Sequence, residues 1–251
     1  MASEAETTPP HADANLVVSG LWIGAELSRL EQLSIASFLH HGHDYHLYTY
    51  DQVKNIPPGA SIRDGNEILP ASNIFQYQRQ ASYAGFANFF RYKLLLERGG
   101  WWVDTDVVCL KPFDFADEHI FASELWDRTE VVTSGIIKAP AGSAVMAYAW
   151  SVCQQKDPQQ LVWGETGPKL MNEAVGRFAM ERYRQSYDVF CPVPYYEWQR
   201  VLEPEADSLI TDQSYAIHLW NEKWRAAGRD KNASYDEGCL FEQLKKIYLS
   251  G

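Results

Sequence analysis

The sequence lacks the features that mark membrane-spanning, disulfide-rich and nucleic-acid-binding proteins. No stretch approaches ~20 consecutive apolar residues, the length that a helix needs to cross a bilayer. Four of the 251 residues are cysteines, and no two of them have the C-x-x-C spacing of zinc or redox sites. Lys and Arg form no dense run and the formal net charge is −11, so a basic surface for nucleic acid is not expected.

The small number of cysteines and the nature of the first residues also predict the cellular compartment. Cysteines this sparse are typical of buried thiols in a reducing environment. The first residues are acidic and contain proline, unlike the basic and then apolar start of a signal peptide. We therefore expect a cytoplasmic protein, which could also work at the surface of the inner membrane. Residues 1–14 are rich in Ala, Glu, Thr and Pro, and we expect a disordered tail there.

Hydrophobic residues make up 46% of the chain, enough for one sizeable core. Residues 16–24 have the pattern of a buried strand, and residues 28–39 have helical periodicity with Ser28 as a candidate N-cap and Glu31 three residues later. Residues 45–50 alternate as a second strand. Strand, helix and strand begin a βαβ unit, so we predict one α/β domain over residues 15–251, with a parallel sheet covered by helices.

Further elements follow from the same patterns. We predict a mostly irregular segment at 54–72. The predicted helices span residues 82–97, 144–155, 168–180 and 240–249. The predicted strands span residues 101–103 (continuing at 107–110), 131–137, 187–193 and 214–220.

The centre of the chain is residues 86–113, where a helix, a glycine pair and an apolar strand lead to Asp104 and Asp106. Alternate side chains of a strand point to one side, so the two carboxylates should converge, with Thr105 turned away. Such a pair repels unless a cation lies between its members. Oxygen ligands favour Mg²⁺ or Mn²⁺. The spacing therefore predicts a divalent-metal site where the strand meets a crevice.

The stretch around these aspartates resembles the DXD-containing sugar-binding region of glycosyltransferases. The family pattern runs Ser-Asp-x-x-Arg-Tyr-x-x-Leu-x-x-x-Gly-Gly-x-Tyr-x-Asp-x-Asp, and Arg91-Tyr92, Gly99-Gly100 and Asp104-Thr105-Asp106 match it. Asn88 stands where aspartate is common, and Trp102 where tyrosine is common. The resemblance is to bacterial relatives of the α-mannosyl- and α-galactosyltransferase group. It implies a GT-A-type fold, a Rossmann-like and mostly parallel sheet with flanking helices.

By this resemblance, Asp104 and Asp106 would hold Mn²⁺ or Mg²⁺ on the donor diphosphate, with His218 as the third protein ligand. Arg91 would contact the donor sugar or its phosphates. Glu165 lies in a segment that resembles the family's Gly-Pro segment and is the acidic candidate for catalysis or acceptor binding. The catalytic set that we predict is Asp104, Asp106, Arg91 and Glu165. The donor-binding set that we predict is Trp22, Ile23, Gly24, Asn88, Arg91, Asp104, Thr105 and Trp220.

The resemblance predicts an enzyme that moves a hexose-type sugar from a nucleoside diphosphate, foremost a UDP-sugar, to an acceptor hydroxyl. The outcome would be retention of configuration. The acceptor would be a glycan, a lipid-linked compound or a protein, in the synthesis of surface polysaccharides or glycoconjugates.

Two other interpretations stay open. An apolar strand followed by Asp-x-Asp also marks phosphohydrolases of the aspartyl-phosphate type. In those enzymes the motif opens the domain, whereas here residues 1–103 precede it and no downstream acidic pair is evident. The other interpretation is an inactive domain that binds sugar without turnover, which Asn88 suggests.

Overall fold

The computed structural model describes residues 17–204 and 209–249, so the predicted tail at 1–14 lies outside the described residues. Within them, eight strands form two sheets. The strands are β1 Val17–Leu21, β2 Asp44–Thr49, β3 Ser61–Asp64, β4 Gly100–Val103, β5 Val107–Cys109, β6 Ile120–Trp126, β7 Thr129–Ala139 and β8 Ala216–His218. The main sheet has the order β3-β2-β1-β4-β7-β6, and β5 pairs with β8 in a second sheet.

The main sheet is parallel over its first four members. β2 pairs in parallel with β1 and β3, and β1 pairs in parallel with β4. β7 then runs antiparallel to β4, and β6 antiparallel to β7. The predicted α/β class, with a mostly parallel sheet and flanking helices, is confirmed. β4 is an inner strand, so the residues after it emerge in the middle of one sheet edge.

Helices cover both faces of this sheet. The α-helices among the described residues are α1 Arg29–His40, α2 Ala84–Arg98, α3 Ala144–Gln154, α4 Leu170–Arg177, α5 Tyr187–Phe190, α6 Asn221–Ala226 and α7 Leu240–Tyr248, and a kinked 3-10 segment spans Tyr195–Leu202. The predicted capping box at the start of α1 is present, with Ser28 and Glu31 satisfying each other's backbone donors. No described helix is long and apolar enough to cross a membrane.

The adjacent tryptophans of β4 pack on opposite faces of the main sheet. Trp102 belongs to a core cluster with Phe90 of α2, whereas Trp101 belongs to another cluster with Phe38 of α1. Successive side chains of a strand point to opposite faces, which explains this division. The apolar run before Asp104 is therefore buried on both sides, and the strand holds the residues that follow it in a fixed position. The four cysteines are free and buried.

Three predicted elements differ from the structure, the first of them only in part. The segment at 54–72 contains β3, an edge strand whose largely exposed residues give little hydrophobic pattern. Residues 187–193 contain the helical turn α5 and no strand; the apolar residues there pack into the core from a helix and a loop. Residues 107–110 do not continue β4, because β5 lies in the second sheet. β6 was not predicted at all.

Gly99 connects the end of α2 to the start of β4 in a backbone conformation that favours glycine. Its φ of 67° is positive, and a Cβ at this position would lie 2.5 Å from the backbone nitrogen of Ala141. Gly142 provides a matched control, since its φ of 76° is also positive but nothing lies within 4 Å of the added Cβ.

We expect Gly99→Ala to lower the free energy of unfolding more than Gly142→Ala does. The positive φ costs about 1–3 kcal/mol at either position, and overpacking adds about 1–3 kcal/mol at Gly99 alone. Urea denaturation of the two variants measures the difference. Equal losses would show that the contact with Ala141 is absent in solution.

Candidate active site

The two aspartates lie in a turn that joins the two sheets. Asp104 follows β4, and Thr105 and Asp106 form the turn before β5. The Asp104 N–H donates to the Gly135 carbonyl of β7 (2.8 Å), and the Leu219 N–H donates to the Asp106 carbonyl (2.9 Å). The predicted convergence is therefore present, but the predicted reason was wrong, because the aspartates are not alternate residues of one strand.

Asp104, Asp106 and His218 form a cluster of ligand-type groups. One carboxylate oxygen from each aspartate and one ring nitrogen of His218 all lie within 4.8 Å of one another. His218 Nε2 is 3.2 Å from Asp106 Oδ1, and the backbone N–H of Asn221 donates to Asp106 Oδ2 (2.7 Å). The Trp220 ring stacks on the imidazole with 3.9 Å between centroids. The imidazole is thus fixed by a carboxylate and by a ring.

Arg91 holds the other aspartate. Its Nη2 is 3.0 Å from Asp104 Oδ1, and Trp102 Nε1 donates to the same oxygen (2.9 Å). The guanidinium also donates to the carbonyls of Ala87 and Ser134 and lies 4.9 Å from the centroid of the Trp102 ring. Arg91 is 3% exposed. A charge buried this deeply is stable because each side of its planar fork has a partner.

The electrostatics of the cluster are uneven. Burial raises the pKa of Asp104, Arg91 opposes that rise, and Asp106 adds to it. Burial would also raise the pKa of Asp106, but the charge and hydrogen bond of His218 outweigh it and the pKa is lowered. Burial would lower the pKa of His218, yet Asp106 raises it well above its usual value. Each aspartate therefore has one basic side chain beside it, Arg91 for Asp104 and His218 for Asp106.

The donor set fits a divalent metal ion. Two carboxylates and one imidazole are acceptable ligands for Mn²⁺. A Cβ on Gly135 would lie 3.2 Å from Asp104 Oδ2 and 3.3 Å from His218 Cε1. The space between these side chains stays open because residue 135 is glycine.

A cavity of about 470 Å³ opens beside the cluster, within the size range of small-molecule sites. Six residues of the predicted site line it, namely Asn88, Arg91, Asp104, Asp106, His218 and Trp220. Asn88 is fixed in the wall, since its amide donates to Thr166 Oγ1 (3.4 Å) and its carbonyl accepts from Ser134 Oγ (3.3 Å).

Five predicted residues do not line this cavity: Trp22, Ile23, Gly24, Thr105 and Glu165. Trp22 and Ile23 pack against the two core clusters. Glu165 Oε1 is 2.6 Å from Lys156 Nζ, and its Oε2 accepts from the Val162 N–H (3.1 Å). Its carboxylate is thus engaged in the local turn before α4. The roles of these residues stay predictions.

The cavity also contains residues that sequence patterns missed. They include Tyr77, Glu124, Trp126, Tyr195 and Lys223, and Trp163 of the segment that resembles the family's Gly-Pro segment lines the cavity as well. Glu124 is 4% exposed and comes from β6. A single acidic residue inside the run Ile120–Trp126 was the available signal for it. Trp163 is 41% exposed and packs on Tyr77 with 5.0 Å between centroids.

Two family models match separate parts of the chain. The description "glycosyltransferase sugar-binding region containing DXD motif" applies to residues 28–126, which include both aspartates. The description "alpha 1,4-glycosyltransferase conserved region" applies to residues 155–248, which include His218.

A curated relative, the Homo sapiens alpha-1,4-N-acetylglucosaminyltransferase, is 23% identical over 194 residues. The match covers 67% of this chain and 55% of the relative, so the chain spans about half the length of that protein.

Two solved structures align with this chain at TM-scores below 0.5. PaToxG glycosyltransferase has a TM-score of 0.48 and 15% identity, with 94% of this chain and 87% of that chain covered. A transferase with two Cys-to-Ser substitutions has a TM-score of 0.42 and 10% identity, with 66% of this chain and 86% of that chain covered.

We expect Arg91→Lys to lower the free energy of unfolding by about 2–4 kcal/mol, because a lysine cannot serve the Asp104 carboxylate and two carbonyls from one planar fork. Arg98→Lys on the same helix is the matched control, since its ion pair with Glu67 is exposed and is worth less than about 1 kcal/mol. Thermal and urea unfolding of both variants test this. Similar small losses would mean that Arg91 is not buried as described.

Proposed function

We propose that this chain, in which two glycosyltransferase family models match residues 28–126 and 155–248, is a metal-dependent enzyme that transfers a hexose-type sugar from a UDP-sugar to an acceptor hydroxyl. The observation that carries this proposal is the convergence of Asp104, Asp106 and His218 within 4.8 Å beside a cavity. These three residues would hold Mn²⁺ or Mg²⁺. When bound, the ion would neutralise charge on the leaving diphosphate.

The chain's own residues would position the donor. Arg91 and Lys223 are the Arg and Lys residues of the described cavity lining. In a chain of net charge −11, Lys223 would provide positive charge for a diphosphate, whereas the charge of Arg91 is balanced by Asp104. Lys223 Nζ lies 4.7 Å from the centroid of the Tyr195 ring, which holds the ammonium group at the cavity. Arg91 is already oriented by its three acceptors, so little side-chain entropy would be lost on binding.

The relative named an alpha-1,4-N-acetylglucosaminyltransferase suggests an α-linked product and a glycan acceptor for this chain as well. An α-linked product from an α-linked UDP-sugar means retention of configuration, which we propose here. We also propose a cytoplasmic role in surface polysaccharide or glycoconjugate synthesis, in keeping with four free and buried thiols.

The other two interpretations have less support. A phosphohydrolase needs a free aspartate nucleophile, but Asp104 Oδ1 accepts from both Arg91 and Trp102. An inactive binding domain was suggested by Asn88, whose amide is engaged by Thr166 and Ser134 within the wall. Turnover of a nucleotide sugar separates the proposal from both.

We expect Asp106→Asn to reduce sugar transfer or hydrolysis by at least about 100-fold, because a neutral amide is a poor ligand for a divalent ion. Release of UDP from UDP-glucose, UDP-galactose and UDP-N-acetylglucosamine with Mn²⁺ measures the rate. EDTA should abolish the wild-type rate, and excess Mn²⁺ should restore it. Asp114→Asn, at an exposed position, is the control. Wild-type turnover in the folded Asp106→Asn variant would remove the metal role.

We also expect Gly135→Ala to weaken Mn²⁺ binding at least about tenfold while all three ligands remain, because the added methyl group would occupy the space between Asp104 and His218. Gly176→Ala in α4 is the control, since its added Cβ would meet no described atom closer than 3.8 Å. Titration followed by the electron paramagnetic resonance of free Mn²⁺ gives the affinities. Unchanged affinity would place the ion elsewhere.

A further inference from the structure

β6 brings an acidic and an aromatic residue to the same wall of the cavity. Glu124 and Trp126 are two residues apart on this strand, so their side chains leave the same face. Both line the cavity that contains the aspartate and histidine cluster. Glu124 is 4% exposed, and Trp126 is half-buried.

The Glu124 carboxylate is a costly group in this position. The side chains of Trp126 and Thr133 hydrogen-bond to it, and its charge interacts with His218 and Asp104. Burial raises its pKa, and the charge of His218 opposes the rise. Among the described residues no Lys or Arg forms an ion pair with it, in contrast to Asp104. A buried carboxylate that no Lys or Arg pairs with is costly to a fold, which makes it a candidate for function.

Glu165 has the opposite environment. Its carboxylate pairs with Lys156 and lies outside the cavity lining. Of these two glutamates, only Glu124 lines the cavity beside Asp104 and His218. The geometry therefore favours Glu124 as the acidic group that meets a substrate.

The chemistry of the pair matches a sugar ring. A pyranose presents hydroxyl donors, for which a carboxylate is a strong acceptor, and apolar C–H faces, for which an indole ring is a good packing surface. If the diphosphate is bound at Asp104, Asp106 and His218, the transferred sugar is the next group along the donor. Glu124 lines the same cavity as all three members of this cluster.

We propose that Glu124 and Trp126 form the subsite for the sugar ring of the donor, with the Glu124 carboxylate accepting hydrogen bonds from sugar hydroxyls and Trp126 packing on the ring. This proposal rests on the proposed function and adds to it the residues that recognise the transferred sugar. It assigns the acidic contact to Glu124 and not to Glu165.

The test compares binding of a nucleotide with binding of the same nucleotide carrying a sugar. Calorimetry in Mn²⁺ gives dissociation constants for UDP and for UDP-glucose, UDP-galactose and UDP-N-acetylglucosamine, in the wild type and in Glu124→Gln. We expect the variant to bind the preferred UDP-sugar about ten- to a hundredfold more weakly, because a charged hydrogen bond to hydroxyl groups is lost, and to bind UDP within about twofold of the wild type. Glu165→Gln is the matched control and should change neither constant.

A second variant keeps the test decisive if Glu124→Gln does not fold. Trp126→Ala removes a half-buried ring and should also weaken the UDP-sugar selectively. An equal effect on UDP and UDP-sugar in both variants, or no effect in either, overturns the subsite. A selective loss in Glu165→Gln overturns the assignment to Glu124.

Turnover separates the two proposals. A wild type that releases UDP, combined with unchanged binding ratios in Glu124→Gln, keeps the proposed function and overturns the subsite. A wild type that binds UDP-sugars without turnover overturns the proposed function, and the binding ratio still decides the subsite. A wild type that binds neither UDP nor any UDP-sugar overturns both.

Discussion

The buried ion pair between Arg91 and Asp104 is the interaction on which the rest of the site depends. It joins α2 to the turn after β4, and the same guanidinium reaches the Ser134 carbonyl of β7. Without it, Asp104 would face Asp106 as an uncompensated carboxylate in a buried region. Because the guanidinium and the His218 imidazole each balance one aspartate, the cluster keeps its shape before any ligand arrives.

Short-range sequence patterns correctly predicted the features of the fold that depend on neighbouring residues. The capping box at Ser28 and the glycine stop after α2 are short-range features, and both are present. Edge strands and short helical turns were not predicted, because their burial depends on residues that are distant in the sequence. β3 is paired on one side and largely exposed, and α5 is buried by contacts that its own sequence does not show.

The candidate site shows the same division. Asp104 and Asp106 could be found because two residues apart in sequence they already suggest a metal pair, and His218 because a resemblance pointed to it. Glu124 was missed because its one sequence signal, an acidic residue inside an apolar run, is weak, and it is the antiparallel packing of β6 on β7 that brings it to the cavity. Glu165 had the better sequence context, but Lys156, nine residues before it in the chain, engages its carboxylate. Three-dimensional topology, and not motif proximity, places Glu124 and not Glu165 in the lining of the cavity.

The turn at Thr105 has a mechanical consequence. Asp104 is anchored to the main sheet through Gly135, whereas Asp106 is anchored to the segment after β8, next to the second sheet. The second sheet is in turn tied to α1, where Ser34 Oγ donates to the Val107 carbonyl (2.6 Å) and Ser37 Oγ accepts from the Cys109 N–H (2.8 Å). A ligand that binds both aspartates would therefore connect the two sheets. Its binding energy would add to the cohesion between them, so amides of β5 and β8 should report site occupancy through slower hydrogen exchange.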